Sequence, residues 1–128
     1  LPRARLTLAE DLRVAADPSD IGRIVENLLD NSIRYSGGAA APPPGITTRS
    51  ADRHALVEVS DHGPGIAPAD LEQIFEPFHR VHSEAGAPEG SGLGLAIARS
   101  LAHRNGGRLA VTSAPGSGAT FQLSLPRS

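Results

Sequence analysis

The stretch DPSDIGRIVENLLDNSIRY, Asp17 to Tyr35, decides how the rest of the chain is read. It opens on a helix-start signal. Asp17 can cap, Pro18 suits the first helical position because its missing N–H would go unbonded there anyway, and Asp20 puts negative charge in the first turn. Ile21, Ile24, Val25, Leu28, Leu29 and Ile33 then recur at helical spacing, which predicts a helix from about Pro18 to Tyr35 with those residues on its buried face. At about 100° per residue, Asn27, Asn31 and Arg34 fall within roughly a 60° arc on one flank of the apolar stripe. Tyr35 lies between that arc and the stripe, and Glu26 and Asp30 turn toward solvent. Two readings fit this edge. Asn27 and Asn31 are polar boundary residues bonded to nearby backbone, or they belong to a site: an amide oxygen is a neutral, hard Mg²⁺ ligand, a guanidinium grips phosphate, and an aromatic face covers a base.

Working outward, Leu6-Thr7-Leu8 and Leu12-Arg13-Val14 read as strand-like, and GGAAAPPPG from Gly37 to Gly45 as a loop. Ile46-Thr47-Thr48 is a weak strand. Ala55 to Asp61 is a stronger one that ends in the turn His62-Gly63-Pro64-Gly65. Pro68 opens a short helix carrying Leu71, Ile74 and Phe75. His79 to Ser91 is polar and punctuated by Gly and Pro, as loops are. A helix is predicted from Gly92 to Asn105, stopped by Gly106-Gly107. Two strands, Arg108–Thr112 and Thr120–Leu125, flank the turn Pro115-Gly116-Ser117-Gly118 as a hairpin. The order predicts an α+β fold, a two-layer sandwich of one mixed sheet under a helical layer.

Composition narrows the chemistry. A chain of 128 residues with 39% hydrophobic and 20% charged residues suits one domain with a modest core. With only 3% aromatic residues, that core is built from Ala, Val, Ile and Leu. The formal net charge of −2 makes no electrostatic case for nucleic acid or an anionic membrane, and no apolar run reaches the ~20 residues of a membrane span. Zero Cys removes disulfides and thiolate chemistry. All 12 basic residues are Arg, so neither a Schiff-base lysine nor the Lys-dependent phosphate loop is available.

Two further segments could carry chemistry. Asp61-His62-Gly63-Pro64-Gly65-Ile66 follows a strand. It is a plain Asp-led turn, or a carboxylate placed to accept from an exocyclic amine with glycines that let backbone approach a flat ligand. Gly90-Ser91-Gly92-Leu93-Gly94-Leu95 opens a helix, where free N–H groups and the positive dipole end favour phosphate. His79-x-x-His82 has chelating spacing but falls in a polar stretch that reads as a loop, so a surface reading is preferred. His54, His62 and His103 read as exposed or turn positions.

Taken in order, an Asn-Asn helix, DHGPGI after a strand, IFEPF and GSGLGL into a helix resemble the ATP-binding catalytic domain of sensor histidine kinases, within the superfamily of gyrase-, chaperone- and mismatch-repair-type ATPases. Asn27 to Asn31 resembles the N box, Asp61 to Ile66 the G1 box, Phe75 to Phe78 the F box and Gly90 to Leu95 the G2 box. The resemblance implies a Bergerat-type fold over residues 1–128 as a single domain. It further implies that Asn31 coordinates Mg²⁺ on the ATP phosphates, that Asn27 supports the phosphate side and that Arg34 contacts phosphate. Tyr35 would stack near adenine and Asp61 would read its amine, with Gly63, Gly65 and Ile66 around it. Gly90, Gly92, Leu93, Gly94 and Leu95 would form the phosphate cradle beside a lid of about His79 to Ser91. Arg80 would reach the γ-phosphate.

The pattern departs from the family at two places. Where many relatives carry a Ser or Thr after the last hairpin glycine, Ala119 follows Gly118, and Thr120 one residue later is the remaining candidate for adenine binding. Where the hydrolysing branches carry a Glu base, this chain has Asn27, and Glu26 points to the wrong face. That favours phosphoryl transfer over hydrolysis. The resemblance therefore implies ATP and Mg²⁺ as cofactors and transfer to a histidine on a separate dimerisation domain upstream of Leu1. From there an aspartate of a response regulator would be phosphorylated, in the cytoplasm, within a membrane-anchored parent. The alternatives are a nucleotide-dependent binding module and an anti-sigma-type serine kinase of the same superfamily.

Overall fold

The structure is a computed structural model that describes residues 14–35, 44–71, 73–77, 93–113 and 116–127. The elements run α1 (Pro18–Tyr35), β1 (Gly45–Ala51), β2 (His54–Ser60), α2 (Pro68–Leu71), α3 (Gly94–Arg104), β3 (Arg108–Ser113) and β4 (Ala119–Pro126). The strand-like reading of residues 6–13, the loop from Gly37 and the lid region lie outside the described residues; Val14 forms an isolated antiparallel bridge with Arg127.

Helix α1 begins where the sequence predicts. The Asp17 carboxylate accepts the Ser19 N–H at 2.9 Å, and the Asp17 carbonyl accepts the Ile21 N–H at 3.1 Å. A cap of this kind is worth ~1 kcal/mol. Ile24, Val25 and Leu28 are buried in the core. Ile33 is not: it is 51% exposed, and Ser32 at 0% takes its place in the packed face. The reason is angular. The centre of the stripe passes between Val25 and Leu28, and Ser32, seven and four residues further on, falls on that line, whereas Ile33 is turned off its edge.

The four strands form one sheet in the order β1-β2-β4-β3, and every pairing among them is antiparallel. The expected α+β fold stands, and the parallel pairing that a mixed sheet needs is absent among the described residues. The crossover through α2 and α3 does bring β3 back in the direction of β2. The terminal hairpin then lays β4 between them, so each meets an antiparallel neighbour. Alternation along β4 sends Ala119, Phe121, Leu123 and Leu125 into the core, where Val57 and Val59 of β2 and Leu109 of β3 meet them. Thr120, Gln122 and Ser124 take the other face.

Helices α1 and α3 pack against each other over the core face of the sheet. Their outer ends are clamped. Arg104 donates to both carboxylate oxygens of Asp20, and Asn105 donates to Asp20 Oδ2 at 2.9 Å while its own Oδ1 accepts the Asp17 N–H at 2.9 Å. The guanidinium and amide donors hold the Asp20 carboxyl below the usual carboxylate range. Helix α3 ends in a nested pair of bonds, Gly107 N–H to the Ala102 carbonyl at 2.8 Å and Gly106 N–H to the His103 carbonyl at 3.0 Å, with Gly106 at φ +75°. Among the described residues no helix is long and apolar enough to cross a membrane.

Candidate functional site

Asp61, Ala119 and Ser113 form a row across the end of the sheet, where β2 leaves it, β4 enters it and β3 stops. Asp61 N–H donates to the Ala119 carbonyl at 2.9 Å, and Ala119 N–H donates back to Asp61 Oδ1 at 3.1 Å. The same Oδ1 accepts the Gly63 N–H at 2.9 Å. Asp61 is thus buried at 7% exposure with one oxygen committed to two backbone donors, and Oδ2 has no partner among the described residues. The turn after it is tied to the β3–β4 hairpin at two further points. Ile66 N–H donates to Ser113 Oγ at 2.7 Å, and Gly116 N–H donates to the Pro64 carbonyl at 2.7 Å.

A hollow of about 220 Å³, counting the space that opens to solvent, is lined by Asn31, Asp61, Gly65, Ile66, Ala119 and Phe121. It joins residues 30 and more positions apart in sequence because Asn31, in the last turns of α1, meets the sheet end where the Asp61 row stands. Gly65 adopts φ +82°, a backbone that favours glycine, so the turn exposes its main chain to the hollow. Asn27, one turn before Asn31, is half-buried, and a Cβ on Gly94 would stand 4.0 Å from its amide oxygen. The first turn of α3 therefore faces the Asn27–Asn31 edge of α1. The residue before α3, Leu93, makes no side-chain cap, which leaves the first N–H groups of the helix uncapped by it.

The structure thus brings Asn31, Asp61, Gly65 and Ile66 to one hollow, with Gly63 holding Asp61 and Gly94 beside Asn27. Two expected site residues are placed elsewhere. Thr120 is on the opposite sheet face, its hydroxyl 2.9 Å from Ser60 Oγ, because strand alternation turns it away from Ala119 and Phe121. Leu95 is 8% exposed and packs in the core, since the first turn of α3 buries its apolar side. Arg80, Gly90 and Gly92 lie outside the described residues, as do the side chains of Arg34 and Tyr35. Glu26 is exposed. Sequence reasoning missed Ala119 and Phe121 as walls and Ser113 as a tie. Their parity with Asp61 on the core face of the terminal hairpin was the available signal. It also missed a stack in which Phe75 meets Phe121 edge-on at 6.3 Å while the Arg99 guanidinium lies 6.0 Å from the Phe75 ring centre.

Residues 16–128 match the family described as histidine kinase-, DNA gyrase B- and HSP90-like ATPases. The chain belongs to that family. This histidine kinase-type ATPase domain is 36% identical over 111 residues to the signal transduction histidine-protein kinase AfsQ2 of Streptomyces coelicolor, covering 87% of this chain and 20% of that protein. It is 39% identical over 126 residues to the sensor protein TorS of Escherichia coli, covering 97% of this chain and 13% of TorS. The domain therefore spans only a small part of the curated relatives it matches. Among solved structures, the mycobacterial sensor histidine kinase MprB superposes with a TM-score of 0.76 at 35% identity, covering 89% of this chain and 76% of that one. Full-length ShkA in complex with AMPPNP gives 0.76 at 30% identity, covering 94% and 24%. These relatives place the ATPase domain in the sensor-histidine-kinase branch, with the α+β fold of its catalytic domains.

The donor set suits a magnesium nucleotide. Asn31 offers a neutral amide oxygen at the hollow, and no group of three or more His, Asp or Glu side chains gathers among the described residues. A Mg²⁺ held there would take its remaining oxygens from phosphate and water, as this ion does in nucleotide sites.

Proposed function

We propose that this domain binds ATP with Mg²⁺ and donates the γ-phosphoryl group to a histidine on a separate dimerisation domain of a two-component sensor kinase, from which a response regulator is phosphorylated. The parent would be a membrane-anchored sensor with this domain in the cytoplasm. Residues 1–128 would act as one catalytic unit that transfers little phosphate without its acceptor.

The observation that carries the reading is the Asp61 carboxylate. Its Oδ1 is saturated by two backbone donors, and its Oδ2 remains as an acceptor at the wall of a hollow that also holds Asn31. A purine amine donates to such an acceptor. The amides of Asn27 and Asn31 and the start of α3 then stand where a phosphate chain would extend. Arg34 and Arg80 are the proposed phosphate contacts. The position of Glu26 supports transfer rather than hydrolysis, because the exposed carboxylate lies off the face that carries Asn27 and Asn31 and cannot activate a water there. What the protein supplies is placement and charge neutralisation. The complex of ShkA with AMPPNP, an ATP analogue, supports the same ligand class.

A calorimetric titration with ATP, with and without Mg²⁺, tests this. Asp61→Ala should lose adenine nucleotides in both conditions, and Asn31→Ala mainly the Mg²⁺-dependent part. Adding a separately made dimerisation domain bearing a histidine should then yield acid-labile label on that domain. Equal small effects of the two substitutions would remove the site assignment; label on a serine would replace the acceptor.

A further inference from the structure

We infer that Ser113 is a positioning residue that sets the purine selectivity of this site, an inference that rests on the nucleotide reading above. Ser113 ends β3 on the core face of the sheet and stands opposite Ala119 in the ladder. Its hydroxyl accepts the Ile66 N–H at 2.7 Å and donates to the Gly118 carbonyl at 2.8 Å. One oxygen thus joins two separate walls. On one side are Gly65 and Ile66, which line the hollow; on the other is Gly118, followed by Ala119, whose N–H holds the Asp61 carboxylate.

The selectivity follows from which atom each purine presents. Adenine offers an amine hydrogen to Asp61 Oδ2, whereas guanine offers a carbonyl oxygen, which a fixed carboxylate repels. Rejection of this kind works only while the carboxylate cannot swing aside. Without the Ser113 hydroxyl, the Ile66 N–H and the Gly118 carbonyl lose a shared partner, and among the described residues the turn from Asp61 to Ile66 keeps its ties to the hairpin at Asp61 and Pro64 alone. Both walls can then shift, and the penalty on guanine falls with them. The phosphate end, built on α1 and α3, shares no bond with Ser113 among the described residues.

The test uses ADP and GDP with excess Mg²⁺, GDP being measured by its competition with ADP, on the wild-type protein and on Ser113→Ala, Ser113→Cys and Ser113→Thr. Thermal unfolding confirms that each variant is folded. Ser113→Ala should bind ADP about tenfold more weakly, the order of one lost hydrogen bond, with no matching loss for GDP. The ratio of the two affinities narrows. Ser113→Cys, which keeps the side-chain shape with a somewhat larger atom and weakens both bonds, should narrow it in the same direction if the alanine variant is too unstable to titrate. Ser113→Thr, which keeps the hydroxyl, should restore the wild-type ratio. An unchanged ratio in the alanine and cysteine variants, or equal losses for both nucleotides, would overturn the role of Ser113. Failure of the wild-type protein to bind ADP would instead overturn the nucleotide reading beneath it.

Discussion

Gly118 lies so close to Asp61 that there is no room for a methyl group between them. A Cβ on Gly118 would stand 3.2 Å from Asp61 Oδ1 and closer still to the Asp61 carbonyl. Gly118 also adopts φ +74°, which side-chain-bearing residues rarely accept. The carboxylate at the wall of the hollow is therefore packed directly against bare backbone.

Gly118→Ala should for that reason act on both stability and binding. The left-handed backbone alone costs ~1–3 kcal/mol for a non-glycine residue, and the collision with Asp61 adds to it. We expect a clearly lowered Tm and loss of ADP binding in the fraction that remains folded. A variant that melts and binds like the wild type would show that Gly118 and Asp61 are not apposed as described.

Ser32 gives a prediction of opposite sign. Its hydroxyl is wholly buried in the packed face of α1 and has no hydrogen-bond partner among the described residues. Leaving a buried hydroxyl unsatisfied costs ~1–3 kcal/mol, and alanine is also the better helix former. Ser32→Ala should raise stability by ~1 kcal/mol in urea unfolding, and nucleotide affinity should stay unchanged. A marked loss of stability would reveal a partner for the hydroxyl.

The clamp between α1 and α3 predicts an acid dependence. The carboxyl of Asp20 is held below its ordinary range, first by its hydrogen bond from Arg104 and then by that from Asn105. Its contribution is present above the ordinary aspartate pKa and is lost as pH falls through the lowered folded-state value. Asp20→Asn should be less stable than the wild type at neutral pH, and the gap should close as pH falls through and below the ordinary aspartate range. Because the Arg104 side chain is 65% exposed, added salt should also narrow it. A gap that is constant across this range would mean that the ion pair does not link the helices.

Thr120 tests the corrected placement. Its hydroxyl faces Ser60 on the far side of the sheet from the hollow. Thr120→Ala should leave ADP affinity at the wild-type level by calorimetry. A large loss would return Thr120 to the site.

Much of this was legible in the chain itself. Pro18 to Tyr35 forms the helix that its caps and spacing predict, because local signals and tertiary burial agree there. The glycine-flanked Asp61 and the asparagine edge of α1 were likewise readable, since each rests on backbone geometry and helical angle. What was not readable depends on how strands are ordered. The placement of β4 between β2 and β3 makes the sheet antiparallel and makes Ala119, Phe121 and Ser113 neighbours of Asp61. No local pattern fixes that order. Thr120 shows the same limit at one residue: a spacing shared with a motif does not say which sheet face a side chain takes, and a shift of one position reverses it.

The proposed function requires one pocket that holds a purine at Asp61 and a phosphate chain at Asn31. It is tested most directly by a crystal structure of this domain with Mg²⁺ and a nonhydrolysable ATP analogue. The adenine amine should lie within hydrogen-bonding distance of Asp61 Oδ2 and the metal on the Asn31 amide oxygen, with the phosphates reaching the start of α3. Ligand bound away from the hollow, or adenine in it with no contact to Asp61, would contradict it.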